Sequence, residues 1–105
     1  MRVTIAHSKS KQEAKDTVDR SIAHIFTGLN LGAIEFIDQM KDWSGDTVTF
    51  SLTARLGFLR TAIRGLAIVT DREVTLDVDL GLLGKLIPEQ AARTQIEGSI
   101  KGLLK

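Results

Sequence analysis

Residues 47–56, Thr47-Val48-Thr49-Phe50-Ser51-Leu52-Thr53-Ala54-Arg55-Leu56, alternate polar and apolar side chains over ten positions without a break. Successive side chains of a strand point to opposite faces. Val48, Phe50, Leu52, Ala54 and Leu56 therefore line one face, and the threonines, Ser51 and Arg55 line the other. A strand apolar on one side only belongs to an antiparallel sheet with one face packed and one face open.

The flanking segments supply its neighbours. Upstream, Gly32 to Asp42 carries Ile34, Phe36, Ile37 and Met40 among charges and reads as a strand, joined to 47–56 through Trp43-Ser44-Gly45-Asp46. A two-residue loop would set Gln39 opposite Phe50. A three-residue loop, Trp43 to Gly45 with the glycine left-handed, sets Met40 opposite Phe50 and Phe36 opposite Ala54, and puts Trp43 at the hairpin tip. Apolar then meets apolar, so the second register is the expected one. Downstream, Gly57-Phe58-Leu59 leads into a strand from about Thr61 to Val69. After a turn at Thr70-Asp71-Arg72-Glu73, Val74, Leu76, Val78 and Leu80 alternate with Thr75, Asp77 and Asp79. A two-residue loop at Asp71-Arg72 pairs Val69 with Val74, Ala67 with Leu76 and Arg64 with Asp79. Leu66 and Ile68 then fall on the outer face, where Ile37 joins them.

Two helices frame this meander. Val3 and Ile5 alternate in a short first strand ending near His7. Ser8 or Ser10 offers an N-cap, Glu13 a capping-box partner, and Ala14, Val18, Ile22, Ile25 and Phe26 a stripe at helical spacing that Gly28 ends. Pro88 suits the first turn of a last helix whose stripe is Ala92, Ile96, Ile100, Leu103 and Leu104. Glu89/Arg93 and Glu97/Lys101 are spaced for ion pairs on its wet side. The pattern predicts one α+β domain over 1–105, a two-layer sandwich in the order β-α-β-β-β-β-α with both helices on one face of an antiparallel sheet.

Composition limits the functions open to such a domain. A net charge of +1 gives no footprint for nucleic acid. The absence of cysteine excludes disulfides and thiolate metal sites. The first residues carry no continuous apolar stretch of the kind a signal peptide has, and no run reaches the roughly 18 apolar residues of a membrane span, so a cytoplasmic location is expected. His7 and His24 are isolated, too few for a metal site. Asp77 and Asp79 share a strand face, but a solvated face does not shift a carboxyl as catalysis requires. Gly81-Leu82-Leu83-Gly84 has the GXXG spacing of a nucleic-acid clamp, yet it follows a strand and brings only Lys85. No catalytic residue, metal or cofactor is expected. Two apolar groups are left. Leu82, Leu83, Leu86 and Ile87, with Phe58, Leu59 and Trp43 as neighbours, either cap the core or form a contact patch. Ile37, Leu66 and Ile68 on the outer face suit a homodimer, unless the register turns them inward.

Several of these pieces occur together in one known family. A strand ending near His7 leads into a Lys-, Glu- and Ala-rich helix. Trp43-Ser44-Gly45-Asp46 precedes Val48 and Phe50, and Val74-x-Leu76 runs into Leu80-Gly81-Leu82-Leu83 and a closing amphipathic helix. In this the chain resembles the polyhydroxyalkanoic acid system protein family, also called the polyhydroxyalkanoate granule-region family, over nearly its whole length. The resemblance implies a non-enzymatic accessory protein of bacterial polyester storage. Such a protein would bind a partner protein or the granule surface through apolar segments, and it brings no catalytic residue or cofactor with it. The alternative, by fold analogy, is a carrier holding an acyl ligand between helices and sheet. If the 81–87 segment makes the contact, Leu83→Asp with Leu86→Asp is expected to abolish co-sedimentation with granules while circular dichroism stays native. Unchanged co-sedimentation on a native fold would remove the segment from the contact.

Overall fold

Ten-residue alternation makes the third strand the middle of a one-sided sheet, and the elements around it follow. The computed structural model describes residues 1–27, 34–86 and 88–104, and the side chains of 23–27, 83 and 86 lie outside that description. The elements are β1 (Arg2–Ala6), α1 (Lys11–Thr27), β2 (Glu35–Ser44), β3 (Thr47–Leu56), β4 (Leu59–Val69), β5 (Glu73–Asp79), the single-turn α2 (Leu83–Leu86) and α3 (Glu89–Leu103). The sheet is antiparallel throughout, in the order β1-β5-β4-β3-β2. The meander of β2 to β5 thus gains β1 on its far edge, beside β5. The α+β class and the element order are those the sequence predicts.

The inward faces of all five strands and the stripes of both long helices share one core. Val3, Val48, Phe50, Ile63, Ala67, Val69, Val74, Leu76 and Val78 are buried from the sheet, and Ala14, Val18, Ile22, Ala92, Ile96, Ile100 and Leu104 from the helices. Leu103 turns to the rim instead. Ile25, Phe26 and Gly28, read as the end of the first stripe, lie outside the described side chains or residues. Ser10 caps α1 as expected: its Oγ accepts from the Glu13 amide at 3.2 Å and donates to the Glu13 carboxylate at 3.0 Å. In α3 the Glu89–Arg93 pair forms at 3.8 Å, whereas Glu97 and Lys101 form none. Gly98 and Gly102 lower that helix's propensity, so the three buried apolar residues of its inner face must hold it.

The second hairpin has the predicted register, with Val69 opposite Val74, Ala67 opposite Leu76 and Arg64 opposite Asp79. Leu66 and Ile68 therefore do face outward. The first hairpin differs. Its loop is Gly45-Asp46, with Ser44 opposite Thr47, which sets Lys41 rather than Met40 opposite Phe50. One extra residue in β2 between Ile37 and Met40 then restores Phe36 to its expected place opposite Ala54. Within this bulge Asp38 has φ +54, a conformation aspartate tolerates better than most residues. Met40 is turned to solvent, 71% exposed. Trp43 leaves the tip and pairs with Val48 on the inner face.

Phe50 and Gly65 stand opposite one another on β3 and β4. A Cβ on residue 65 would lie 2.7 Å from the Phe50 ring and 2.7 Å from the Asp77 carbonyl oxygen. The glycine makes room for the largest buried side chain of the sheet. Gly65→Ala is expected to destabilise the fold by about 1–3 kcal/mol through overpacking. Urea unfolding checks this, and an unchanged midpoint would show that the ring can move aside freely.

Candidate docking surfaces

The β3–β4 hairpin outruns the rest of the sheet. β5 ends at Asp79, opposite Arg64, while β4 begins five residues earlier at Leu59. The turn is Gly57-Phe58, with Gly57 at φ +60 in the first central position, as a two-residue hairpin of the II′ kind requires. Phe58 takes the second position and is 95% exposed. That position needs neither an aromatic ring nor any special φ, so local structure gives no reason for a phenylalanine there.

The connector after β5 comes back to this tip. Gly81, at φ +58, lies so close to β4 that a Cβ would sit 2.5 Å from the Thr61 hydroxyl and 2.6 Å from the Ala62 carbonyl. The Leu82 amide donates to Thr61 Oγ1 at 2.9 Å, and the Gly81 amide donates to the Asp79 carboxylate at 2.9 Å. Leu82 is thereby pinned beside the hairpin. A shallow, wholly apolar recess of about 30 Å³ forms there, lined by Ile34, Ala54, Leu56, Leu59 and Leu82, with Arg60 and Thr61 at its rim. Leu59 and Leu82 remain about half exposed. Arg55 and Arg60 face each other across the hairpin. Glu35 pairs with Arg55, but Arg60 has no ion pair among the described residues, and like charges directly opposite on a sheet repel.

Of the first predicted patch, then, Leu59 and Leu82 come together, and Phe58 projects from the adjoining turn. The side chains of Leu83 and Leu86 and the whole of Ile87 lie outside the described residues. Trp43 is not among them. It pairs with Val48, eight residues before Leu56, about 26 Å away at strand rise. There its Nε1 donates to Asp19 on α1 at 2.8 Å and the Lys15 ammonium lies 5.2 Å from its ring centre. Lys41 adds an ion pair to the same carboxylate at 3.1 Å. Lys11 and Lys15 reach Asp46 in the hairpin loop at 3.0 and 3.4 Å. Trp43 thus belongs to a latch between α1 and the β2–β3 hairpin.

Of the second patch, Leu66 and Ile68 are neighbours on one face of β4, half-buried, whereas Ile37 lies two strands away opposite Thr53. Among the described elements no helix covers this outer face. His7 joins the end of β1 to the next turn, donating from Nε2 to the Thr70 carbonyl at 2.9 Å, and the side chain of His24 lies outside the described residues. Among the described residues no three His, Asp or Glu side chains converge as a metal site would need, and no helix is long and apolar enough to cross a membrane. A trough of about 270 Å³ runs between α1 and the β2 bulge, past Asp19, Arg20, Gln39 and Lys41 over Ile22 and Leu52. Its one carboxylate, Asp19, is held by the latch. Between helices and sheet, the recess beside Val18, Leu76, Ile100 and Leu104 holds about 10 Å³, the limit for a single water. No family model, curated protein or solved structure matches the chain.

The hydrogen bond from Trp43, and then that from Lys41, hold the Asp19 carboxyl below the usual carboxylate range. A depressed folded value stabilises the latch above the unfolded value of about 3.9, and that contribution disappears as pH falls through the lower folded one. Emission from Trp43, the chain's sole tryptophan, is expected to change in an acid titration below about pH 4, and to lose that step in Asp19→Asn. A step that survives the substitution would assign it to another group.

Proposed function

We propose that this chain is a non-enzymatic docking protein that seats the β3–β4 hairpin tip on the surface of a polyester storage granule, with a second copy bound on its outer sheet face. The observation that carries the reading is the exposed Phe58-Leu59 tip, with Leu82 beside Leu59 and with Arg60, which has no ion pair among the described residues, lining the same recess. An aliphatic polyester presents apolar chain and carbonyl acceptors, and the tip presents apolar side chains and a guanidinium donor. The family resemblance in the sequence supports the granule as the site of action.

The energetics suit a weak, repeated contact. Burying Phe58 is worth about 1.5–3 kcal/mol, and the half-exposed Leu59 and Leu82 about half as much each. With the arginine, one tip supplies on the order of 5 kcal/mol before the cost of association is met, so a single contact is weak. Several tips acting together would hold far better than one. The acyl-carrier reading has less support, because the apolar recess beside Val18, Leu76, Ile100 and Leu104 holds only about 10 Å³, and the trough of about 270 Å³ beside α1 is bordered by Asp19, Arg20, Gln39 and Lys41.

Phe58→Ser with Leu82→Ser is expected to weaken binding to protein-free polyester particles, read by co-sedimentation, by at least about thirtyfold, the equivalent of about 2 kcal/mol. Both side chains are exposed, so unfolding midpoints should barely move. Binding to native granules but not to protein-free particles would assign the contact to a granule protein and overturn direct docking.

A further inference from the structure

We infer that the outer face pairs with a second copy of this chain about a two-fold axis running along β4, so that both hairpin tips point the same way. This rests on the reading that the outer face carries a dimer, and adds its axis and its contacts. The register sets five residues in one row across the sheet: Arg2 on β1, Asp77 on β5, Leu66 on β4, Thr49 on β3 and Asp42 on β2. A cation stands at one edge, a carboxylate at the other and a leucine midway. The next row reads Thr4, Thr75, Ile68, Thr47 and Ser44.

Two-fold symmetry makes a patch meet itself. An axis along β4 lays Leu66 on Leu66 and Ile68 on Ile68. It brings Arg2 of each copy, whose Nε lies 3.8 Å from Asp77 of its own sheet, to Asp42 of the other, and hydroxyl to hydroxyl in the second row. An axis across the strands through the same row would instead oppose Arg2 to Arg2, Asp42 to Asp42 and Asp77 to Asp77. Like charges across an interface suppress an arrangement, and opposite charges fix its register. Two arginines on the chosen axis, Arg64 and Arg60, do face their own copies. Arg64 stands opposite Asp79 in its own sheet, and Arg60 lies at the open tip.

Self-association through the β2 edge fits less well. Edge-to-edge extension through β2 is obstructed by the bulge at Asp38 and the charges of Lys41 and Asp42. The face itself, five strands at about 4.8 Å by four rows at about 7 Å, offers on the order of 1,000 Å² over two copies, where specific interfaces begin. Aligned sheets cross at about −30°, so an axis along the mean strand direction is compatible with ordinary packing. The two tips then stand side by side at one end of the dimer.

A charge-exchange experiment on the full chain tests the axis. Arg2→Asp and Asp42→Arg are prepared separately and their mass is followed by sedimentation velocity, alone and mixed. Each alone sets like charges at both outer contacts. The mixture restores two opposite pairs. A wild-type dimer, at least about tenfold weaker self-association for either variant, and recovery on mixing are expected. Leu66→Glu is expected to be monomeric with a native circular dichroism spectrum. A wild-type dimer indifferent to both charge changes would overturn the axis and leave a dimer standing. A wild type monomeric at all concentrations would overturn both.

Discussion

The ring of Phe50 seated over Gly65 fixes β3 against β4, and the rest of the sheet depends on that fit. A slip of one residue would set the ring against Arg64 or Leu66 and turn every side chain of the strand to the opposite face. With this pair in place, Val48 meets Ala67 and Leu52 meets Ile63. One face becomes continuous enough for α1 and α3 to cover, and the other is left to threonine, serine and charge. The same pair explains the open outer side: period-two alternation divides the strand into one greasy and one wet surface, and the described helices cover only one of them.

Legibility in the sequence followed the regularity of the strands. The α+β architecture, the Ser10 cap and the register of the second hairpin could all be read, because ideal alternation on both sides of Asp71-Arg72 leaves one pairing that keeps apolar with apolar. The first hairpin could not be read in the same way. Its loop is one step later than apolar matching suggests, and the mismatch is absorbed at Asp38 and Gln39. A bulge leaves almost no compositional mark, since a left-handed aspartate resembles any other aspartate in a chain. From that one residue follow the outward turn of Met40, the inward turn of Lys41 and the move of Trp43 from tip to latch. A cross-strand view of Arg55 and Arg60 likewise needs the register before it exists.

Charge in this molecule works mostly at the margins. Lys11, Lys15 and Lys41 tie α1 to the β2–β3 hairpin through Asp46 and Asp19, all on partly exposed side chains. Pairs of that kind contribute little individually. Their weight is in holding a hairpin edge against a helix where apolar contact thins out. At the opposite end of the sheet the same role is taken by shape: Gly81 packs its backbone directly onto β4, and Leu82 is carried along.

The hairpin beyond Arg64 has neither β5 nor, among the described elements, a helix beside it over most of its length. Leu52, Ala54 and Ile63 at its base belong to the core, but the exposed side chains of its tip, 57–60, add little to the cooperative unit that unfolds as a whole. Adhesion and folding are thereby uncoupled. A lineage, or a protein engineer, could exchange the letters at 58–60 for other recognition chemistries with almost no thermodynamic penalty to the body that carries them, provided Gly57 keeps the turn.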